Sequence, residues 1–261
     1  MKILILDTAE AAQERAAEMI SEAIRERSRT VLGLATGGTM LPVYERLVAC
    51  HRAGKLSFSG VTTFNLDEYV GLAPSHPQSY RSYMNRVLFS QVDIDLQRTH
   101  LPRGDARDPE AEAARYEATI AQCGGLDLQL LGIGHNGHIG FNEPTSSLKS
   151  RTRIKTLTRE TREANSRYFR ADEHIPSLAI TMGVGTILDA RGCLLLAVGA
   201  GKAAPVAAMV EGPLAAVCPA SALQLHPKAT VILDRAAAQD LKLKDYYLHV
   251  HPDGSARDEL Q

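Results

Sequence analysis

The chain predicts an α/β fold: a mainly parallel sheet with helices on both faces, organised as a single domain over residues 1–261. Three observations carry this expectation. Short apolar, β-branched runs alternate with longer helical patterns, the signature of parallel strands joined by crossover helices. Several of those runs end directly in glycine or acid, as strands do where an α/β sheet keeps its chemistry. The third is size: 261 residues, 44% of them hydrophobic, suffice for one large core, and no repeat, low-complexity tract or linker divides the chain.

The first apolar run, residues 2–6, leads into Asp7-Thr8-Ala9-Glu10, a side-chain cap with an acid three residues later, and an Ala/Glu/Arg-rich helix to about residue 27. The run 31–34 ends in Ala35-Thr36-Gly37-Gly38-Thr39, and Tyr44, Leu47 and Val48 then mark a helix. Residues 61–66 form a strand that stops at Asp67-Glu68, and Asp108-Pro109-Glu110 opens a further helix with proline in its first turn. The run 126–131 feeds Gly132-Ile133-Gly134-His135-Asn136-Gly137-His138. Residues 149–167, dense in Arg and Thr with few apolar side chains, read as an exposed excursion or a solvated helix face, and a lid is expected over about 157–180. Runs 178–182, 194–198 and 230–233 complete the strands, the second ending in Gly199-Ala200-Gly201-Lys202. Carboxyl ends of parallel strands share one crevice, so these four loops are expected to converge.

Composition narrows the function. The formal net charge is -1, so no global field draws in nucleic acid or an anionic membrane, and any bound anion needs a local site. The apolar run 3–6 is too short for a secretory signal core and no stretch approaches a membrane span, so a soluble, cytoplasmic protein is expected. Cys50, Cys123, Cys193 and Cys218 are far apart and form no Cys-x-x-Cys, which argues against a zinc site or disulfide framework; no metal and no cofactor is expected. His249-x-His251 lacks a nearby third ligand.

The loops carry the chemistry. Thr36-Gly37-Gly38-Thr39 sits between strand and helix, where backbone N–H groups bind phosphate or carboxylate, although glycine pairs also make ordinary turns. Asp67 is a strand-end carboxyl; partly withdrawn from water, such a group takes a proton from carbon beside a carbonyl, and alternatively it caps the next helix. Gly132-x-Gly134-x-x-Gly137 matches the dinucleotide fingerprint literally, but Gly140, Asn142 and Pro144 follow where a long helix is required. His138 lies five residues before Glu143, and a carboxylate bonded to an imidazole fixes its tautomer for proton exchange with hydroxyls. Gly201-Lys202 looks like the tail of a P-loop, yet Ala203 replaces the hydroxyl that would hold magnesium. Lys202 still suits a phosphate.

Taken together, Thr36-Gly37-Gly38-Thr39, Phe64-Asn65-Leu66-Asp67-Glu68-Tyr69-Val70-Gly71-Leu72, His76-Pro77-x-Ser79-Tyr80, Gly137-His138-Ile139-Gly140-Phe141-Asn142-Glu143-Pro144, Ser150-Arg151-Thr152-Arg153-Ile154-Lys155-Thr156-Leu157 and Leu225-His226-Pro227-Lys228-Ala229 resemble the glucosamine-6-phosphate deaminases over nearly the whole chain. The resemblance implies a Rossmann-like domain without cofactor that converts glucosamine 6-phosphate and water to fructose 6-phosphate and ammonia. By the same resemblance Asp67 carries a proton from C2 to C1, and His138 with Glu143 opens the sugar ring. Thr36, Gly37, Gly38, Thr39, Arg167 and Lys202 would hold the phosphate and substrate. Asn136 stands where many members have aspartate; an amide orients His138 without adding charge, so a more acidic limb of the pH–rate profile is expected. Some members are hexamers activated by N-acetylglucosamine 6-phosphate, and Ser146, Ser147, Arg153, Lys155 and Thr156 match that effector segment, so a homo-oligomer is expected.

Three other readings bear on this one. A galactosamine-6-phosphate deaminase stays open, because one hydroxyl's orientation depends on contacts the sequence does not display. A 6-phosphogluconolactonase-like hydrolase needs no C2 base, and the Asp67 loop argues against it. A non-catalytic sugar-phosphate sensor of a transcription regulator would carry a helix-turn-helix, which a first strand at Lys2 leaves no room for.

Overall fold

The computed structural model describes residues 1–166, 169–170, 173 and 175–254, with Ala164 and Asp253 as backbone alone. In chain order it contains β1 (Lys2–Leu6), α1 (Ala9–Arg25), β2 (Thr30–Leu34), α2 (Leu41–Arg52), β3 (Val61–Asn65), β4 (Asp67–Tyr69), α3 (Tyr80–Val87), β5 (Thr99–His100) and α4 (Pro109–Gln122). There follow β6 (Leu128–Leu131), β7 (Arg153–Thr156), α5 (Arg159–Ser166), β8 (Leu178–Thr181), α6 (Val184–Leu188), β9 (Cys193–Ala197), α7 (Ala203–Val210), β10 (Ala229–Asp234) and α8 (Lys244–Val250).

Helix starts are written in side chains. Thr8 Oγ1 accepts from Ala11 N at 3.1 Å to cap α1, Ser79 Oγ accepts from Ser82 N to cap α3, and Asp108 Oδ1 accepts from two N–H groups of α4. Proline at the first position of α4 gives up an N–H that would have had no partner there.

A seven-stranded, all-parallel sheet runs in the order β1-β10-β9-β6-β2-β3-β5. Its centre is covered on both faces: all five residues of β9 are buried, and successive strand residues point to opposite faces. A second, three-stranded antiparallel sheet, β4-β8-β7, carries a smaller apolar cluster of Tyr69, Leu72, Phe141, Leu157 and Ala179.

This second sheet corrects part of the sequence reading. The apolar run at residues 178–182 is not a strand of the parallel sheet; β8 is the central strand of the small one, and its place in the large sheet's strand count is taken by the two-residue β5. Residues 149–167 are not simply an exposed excursion either. Arg153–Thr156 pairs with β8, and Thr152, Leu157 and Thr161 are buried, because the period-two pattern of β7 places Arg and Lys stems along a half-buried face. Of the expected lid, α5 and β8 are helix and strand, respectively. Among the described residues no helix is long and apolar enough to cross a membrane.

Candidate active site

The winding of the large sheet reverses between β2 and β6. From β2 the chain steps outward to β3 and β5, then returns to place β6 on the other flank of β2. Loops leaving two such neighbours turn away from each other and open a crevice at the strands' carboxyl ends. A cavity of about 490 Å³ lies there, and all four loops singled out in the sequence line it: Thr36 to Thr39 after β2, Asp67 after β3, Gly132 to His135 with His138 after β6, and Lys202 after β9.

One end of the cleft is built for an anion. Gly37 has φ 113°, a left-handed conformation that a side chain would strain, and the chain then enters a 3₁₀ turn, Gly38–Met40, that runs on into α2. First-turn N–H groups of that continuous helix lack intrahelical partners and carry its positive dipole end. Two tyrosines pin the loop from behind: Tyr83 Oη donates to Gly37 O at 2.9 Å and Tyr44 Oη to Ala35 O at 2.5 Å. Across the cleft Lys202 Nζ donates to Ile133 O at 2.7 Å, which ties the ammonium to the loop after β6. Its own loop is held by Asp234 at the end of β10, whose carboxylate accepts from Gly199 N at 3.0 Å.

Asp67 lies on the floor, 5% exposed. Burial, reinforced by the neighbouring Glu68, pushes its carboxyl up to about 8 from an ordinary 3.8. Glu68 faces away from Asp67's side of the extended segment and accepts N–H bonds from Tyr69, Tyr80 and Arg81 at 2.9–3.0 Å. It is thereby the acceptor for the start of α3, and burial still lifts it to about 7 against those bonds. The two acids, inseparable in the sequence, have different positions and different partners. Gly140 faces Asp67: a Cβ there would meet Thr181 Oγ1 at 3.0 Å and Asp67 Oδ2 at 3.4 Å, so the carboxylate's reach over the floor depends on this glycine.

On the wall beside it stands a polar relay. His138 Nδ1 meets Asn136 Oδ1 at 2.7 Å, Asn136 Nδ2 donates to Glu143 Oε2 at 2.9 Å, and His138 Nδ1 lies 3.4 Å from that same oxygen. The amide direction decides the tautomer: with Nδ2 committed to Glu143, Oδ1 accepts, so Nδ1 of the imidazole carries the proton and Nε2 is left with a lone pair. Glu143 is 2% exposed; burial raises its carboxyl, but bonds from His138, Thr161 and Asn136 outweigh that and bring it down to about 2. Asn136 is therefore more than a substitute for aspartate. It is the bridge between imidazole and carboxylate.

Helix α5 closes a third side. Thr161 and Asn165, four residues apart on it, face the cleft, and beyond the helix Phe169 stands edge-on to Tyr69 with centroids 5.7 Å apart. Tyr69, Tyr80 and Phe141 continue that aromatic wall.

The sequence-predicted residues divide accordingly. Thr36, Gly37, Gly38, Thr39, Asp67, His138 and Lys202 line the cleft, with Asn136 and Glu143 bonded directly behind His138. Arg167 lies outside the described residues. Ser146, Ser147, Arg153, Lys155 and Thr156 do not line the cleft; Arg153 reaches toward it only as far as Asn142, donating to Oδ1 at 2.9 Å. Missed by sequence reasoning were Tyr83, Arg86, Thr161 and Asn165. For the first two a signal existed: Tyr80, Tyr83 and Arg86 are three residues apart on one helix. No local pattern marks Thr161.

Residues 6–232 match the family described as glucosamine-6-phosphate isomerases/6-phosphogluconolactonase. The chain belongs to this family. Within the glucosamine-6-phosphate isomerase/6-phosphogluconolactonase family it is 56% identical over 247 residues to the glucosamine-6-phosphate deaminase of Hahella chejuensis, an alignment covering 95% of this chain and 94% of that one. The deaminase of Streptomyces coelicolor is 52% identical over 252 residues, covering 96% and 97%. The solved structure of a monomeric glucosamine-6-phosphate deaminase superposes with a TM-score of 0.90 at 47% identity, over 92% of this chain and 100% of that one. A 6-phosphogluconolactonase from Leishmania guyanensis shares the family fold at 20% identity and a TM-score of 0.70, over 91% and 97%.

Proposed function

We propose that this protein is a glucosamine-6-phosphate deaminase, converting glucosamine 6-phosphate and water to fructose 6-phosphate and ammonia. The observation that carries the reading is Asp67: a buried carboxyl of raised proton affinity, in one cleft with an anion-binding glycine loop and a histidine relay. Lactone hydrolysis removes no hydrogen from carbon and needs no base at C2, whereas moving hydrogen between adjacent carbons requires one.

The reaction then follows from the layout. The 6-phosphate binds the amides of Gly37, Gly38 and Thr39 and the ammonium of Lys202, with Thr36 beside them, and this remote dianion fixes the reacting carbons over Asp67. His138 Nε2 accepts the proton of the C1 hydroxyl and returns it to the ring oxygen as the C1–O5 bond breaks, leaving a C1 carbonyl. The hydrogen at C2 is now acidic. Asp67 takes it, the enolamine forms, and the same carboxyl delivers the proton to C1, giving an imine at C2 that water hydrolyses to ketone and ammonia. The substrate's ammonium, one bond from C2, brings the positive charge that favours ionised Asp67 when the sugar is bound.

Finer points belong to the same proposal. The segment of Ser146, Ser147, Arg153, Lys155 and Thr156 is read as an effector site for N-acetylglucosamine 6-phosphate in a homo-oligomer, supported by the buried Ser146 Oγ, which has no hydrogen-bond partner among the described residues. Cytoplasmic breakdown of N-acetylglucosamine-derived sugars is the setting that suits this substrate. The deciding experiment measures ammonia release from glucosamine 6-phosphate and from its galacto epimer with the parent and Asp67→Asn proteins. Release from the gluco sugar by the parent, lost in the variant, is expected; full activity in Asp67→Asn, or turnover of the galacto epimer alone, would refute the reading.

A further inference from the structure

We infer that Thr161, on α5, is a positioning residue for the ring-opening relay, holding Glu143 so that Asn136 presents its carbonyl to His138. The inference rests on the deaminase reading and extends it to a residue outside the imidazole relay itself. Glu143 is enclosed, and its two oxygens have separate duties: Oε2 accepts from Asn136 Nδ2 at 2.9 Å, while Oε1 accepts from Thr161 Oγ1 at 2.5 Å. Among the described residues the other groups near Oε1 are distant, Thr158 N and Oγ1 both at 3.4 Å. Thr158 Oγ1 lies 3.1 Å from Thr161 Oγ1, and since the single hydroxyl proton of Thr161 goes to Glu143, Thr158 is the donor of that pair.

Removing the Thr161 hydroxyl leaves a buried carboxylate oxygen without a short bond. The terminal torsion of glutamate is broad, so the group turns to recover a donor. Turning carries Oε2 off Asn136. The Asn136 amide then has no fixed acceptor for Nδ2, its carbonyl loses its orientation, and the imidazole loses the contact that fixes Nε2 as the basic nitrogen. Thr161 also lines the cleft from α5 together with Asn165, and beyond the helix Phe169 rests on Tyr69 beside Asp67. The placement of this helix against the cleft is thus conveyed to the relay through one short hydroxyl bond.

The test compares Thr161→Val, close in shape but without the donor, with Thr161→Ser, which keeps it. For Thr161→Val we expect kcat lower by about tenfold or more with KM within about twofold of the parent, because ring opening and not binding is impaired. Substrate deuterated at C2 supplies the second readout: the parent shows a primary isotope effect, and in Thr161→Val it falls toward unity as ring opening becomes the slow step. Thr161→Ser restores both. Parent kcat in Thr161→Val, or a lowered kcat with the isotope effect intact, would overturn the assignment; Thr161→Ala against Thr161→Ser carries the same comparison if the valine protein does not fold. Ammonia release by the parent tests the deaminase reading independently.

Discussion

Asp67 holds a proton in the folded chain across a range where the unfolded chain has lost it. Unfolded, the carboxyl ionises near 3.8; folded, it does so near 8. Its contribution to stability is therefore fullest below 3.8 and is lost as pH rises through 8. Asp67→Asn should abolish ammonia release by at least about a hundredfold, yet melt higher than the parent by about a few degrees at pH 8, with no advantage in acid. Thermal melts across pH would check this. A lower Tm for the variant at pH 8 would mean that the buried carboxyl is not strained by its surroundings. Glu68→Gln removes the adjacent negative charge, so the acid limb of kcat/KM should move to lower pH, and an unmoved limb would deny Glu68 any part in tuning the base. Asn136→Asp would set a carboxylate against the imidazole at 2.7 Å and against Glu143 at 2.9 Å. Added negative charge keeps the relay protonated to higher pH, so the limb belonging to it should move up; superimposable profiles would show that residue 136 acts by orientation alone. That Asp67, His138 and Glu143 would share one cleft could be expected from their types and spacing, and Asn136 from the family resemblance, but the direction of the amide bridge could not. It depends on which donor Glu143 meets, and that donor comes from a helix 18 residues further on.

Elements were legible where their patterns were strong. Six of the apolar runs are strands of the parallel sheet, and both helix starts read in the sequence are made with side-chain caps, at Asp108 and at Thr8, the latter one residue beyond the Asp7 to which an acid at Glu10 pointed. The exceptions have physical causes. β5 contains two residues, too few for any periodicity, and β7 reads Arg153-Ile154-Lys155-Thr156, in which charged stems alternate with a single apolar residue. β8 was legible as a strand but not as to its sheet, because a short buried run looks the same in either. At this scale the glycine loop makes a sharp prediction. Gly37→Ala forces a side chain into φ 113°, which costs about 1 kcal/mol or more and displaces the amides proposed to hold the phosphate. KM for the sugar phosphate should rise by roughly tenfold with a smaller change in kcat, since a bond to a non-reacting group is weakened. An equal fall in kcat alone would place the loop's contribution in the chemical step instead.

For the molecule as a whole, the convergence of four loops followed from topology: once the strands were parallel, their carboxyl ends had one side of the sheet to share. What topology alone does not convey is the second sheet. From β3 to β4 the chain crosses between the two sheets through a single residue. Leu66 N donates to Leu34 O, extending the parallel ladder by one bond, while Leu66 O accepts from Met182 N beside the antiparallel one. Asp67 is the next residue, and its pairing with Thr181 belongs wholly to the small sheet. The acid is therefore riveted at a seam: the glycine loop belongs to one sheet, α5 and the aromatic wall border the other, and the carboxylate is carried by the chain that sews them together. A protein engineer seeking a different sugar for this scaffold would find the seam unforgiving, since any residue change that shifts it alters the register of two ladders at once. The cheaper ground for new specificity is the outer rim, where Arg86, His135 and Asn165 face the cleft and carry none of the stitching.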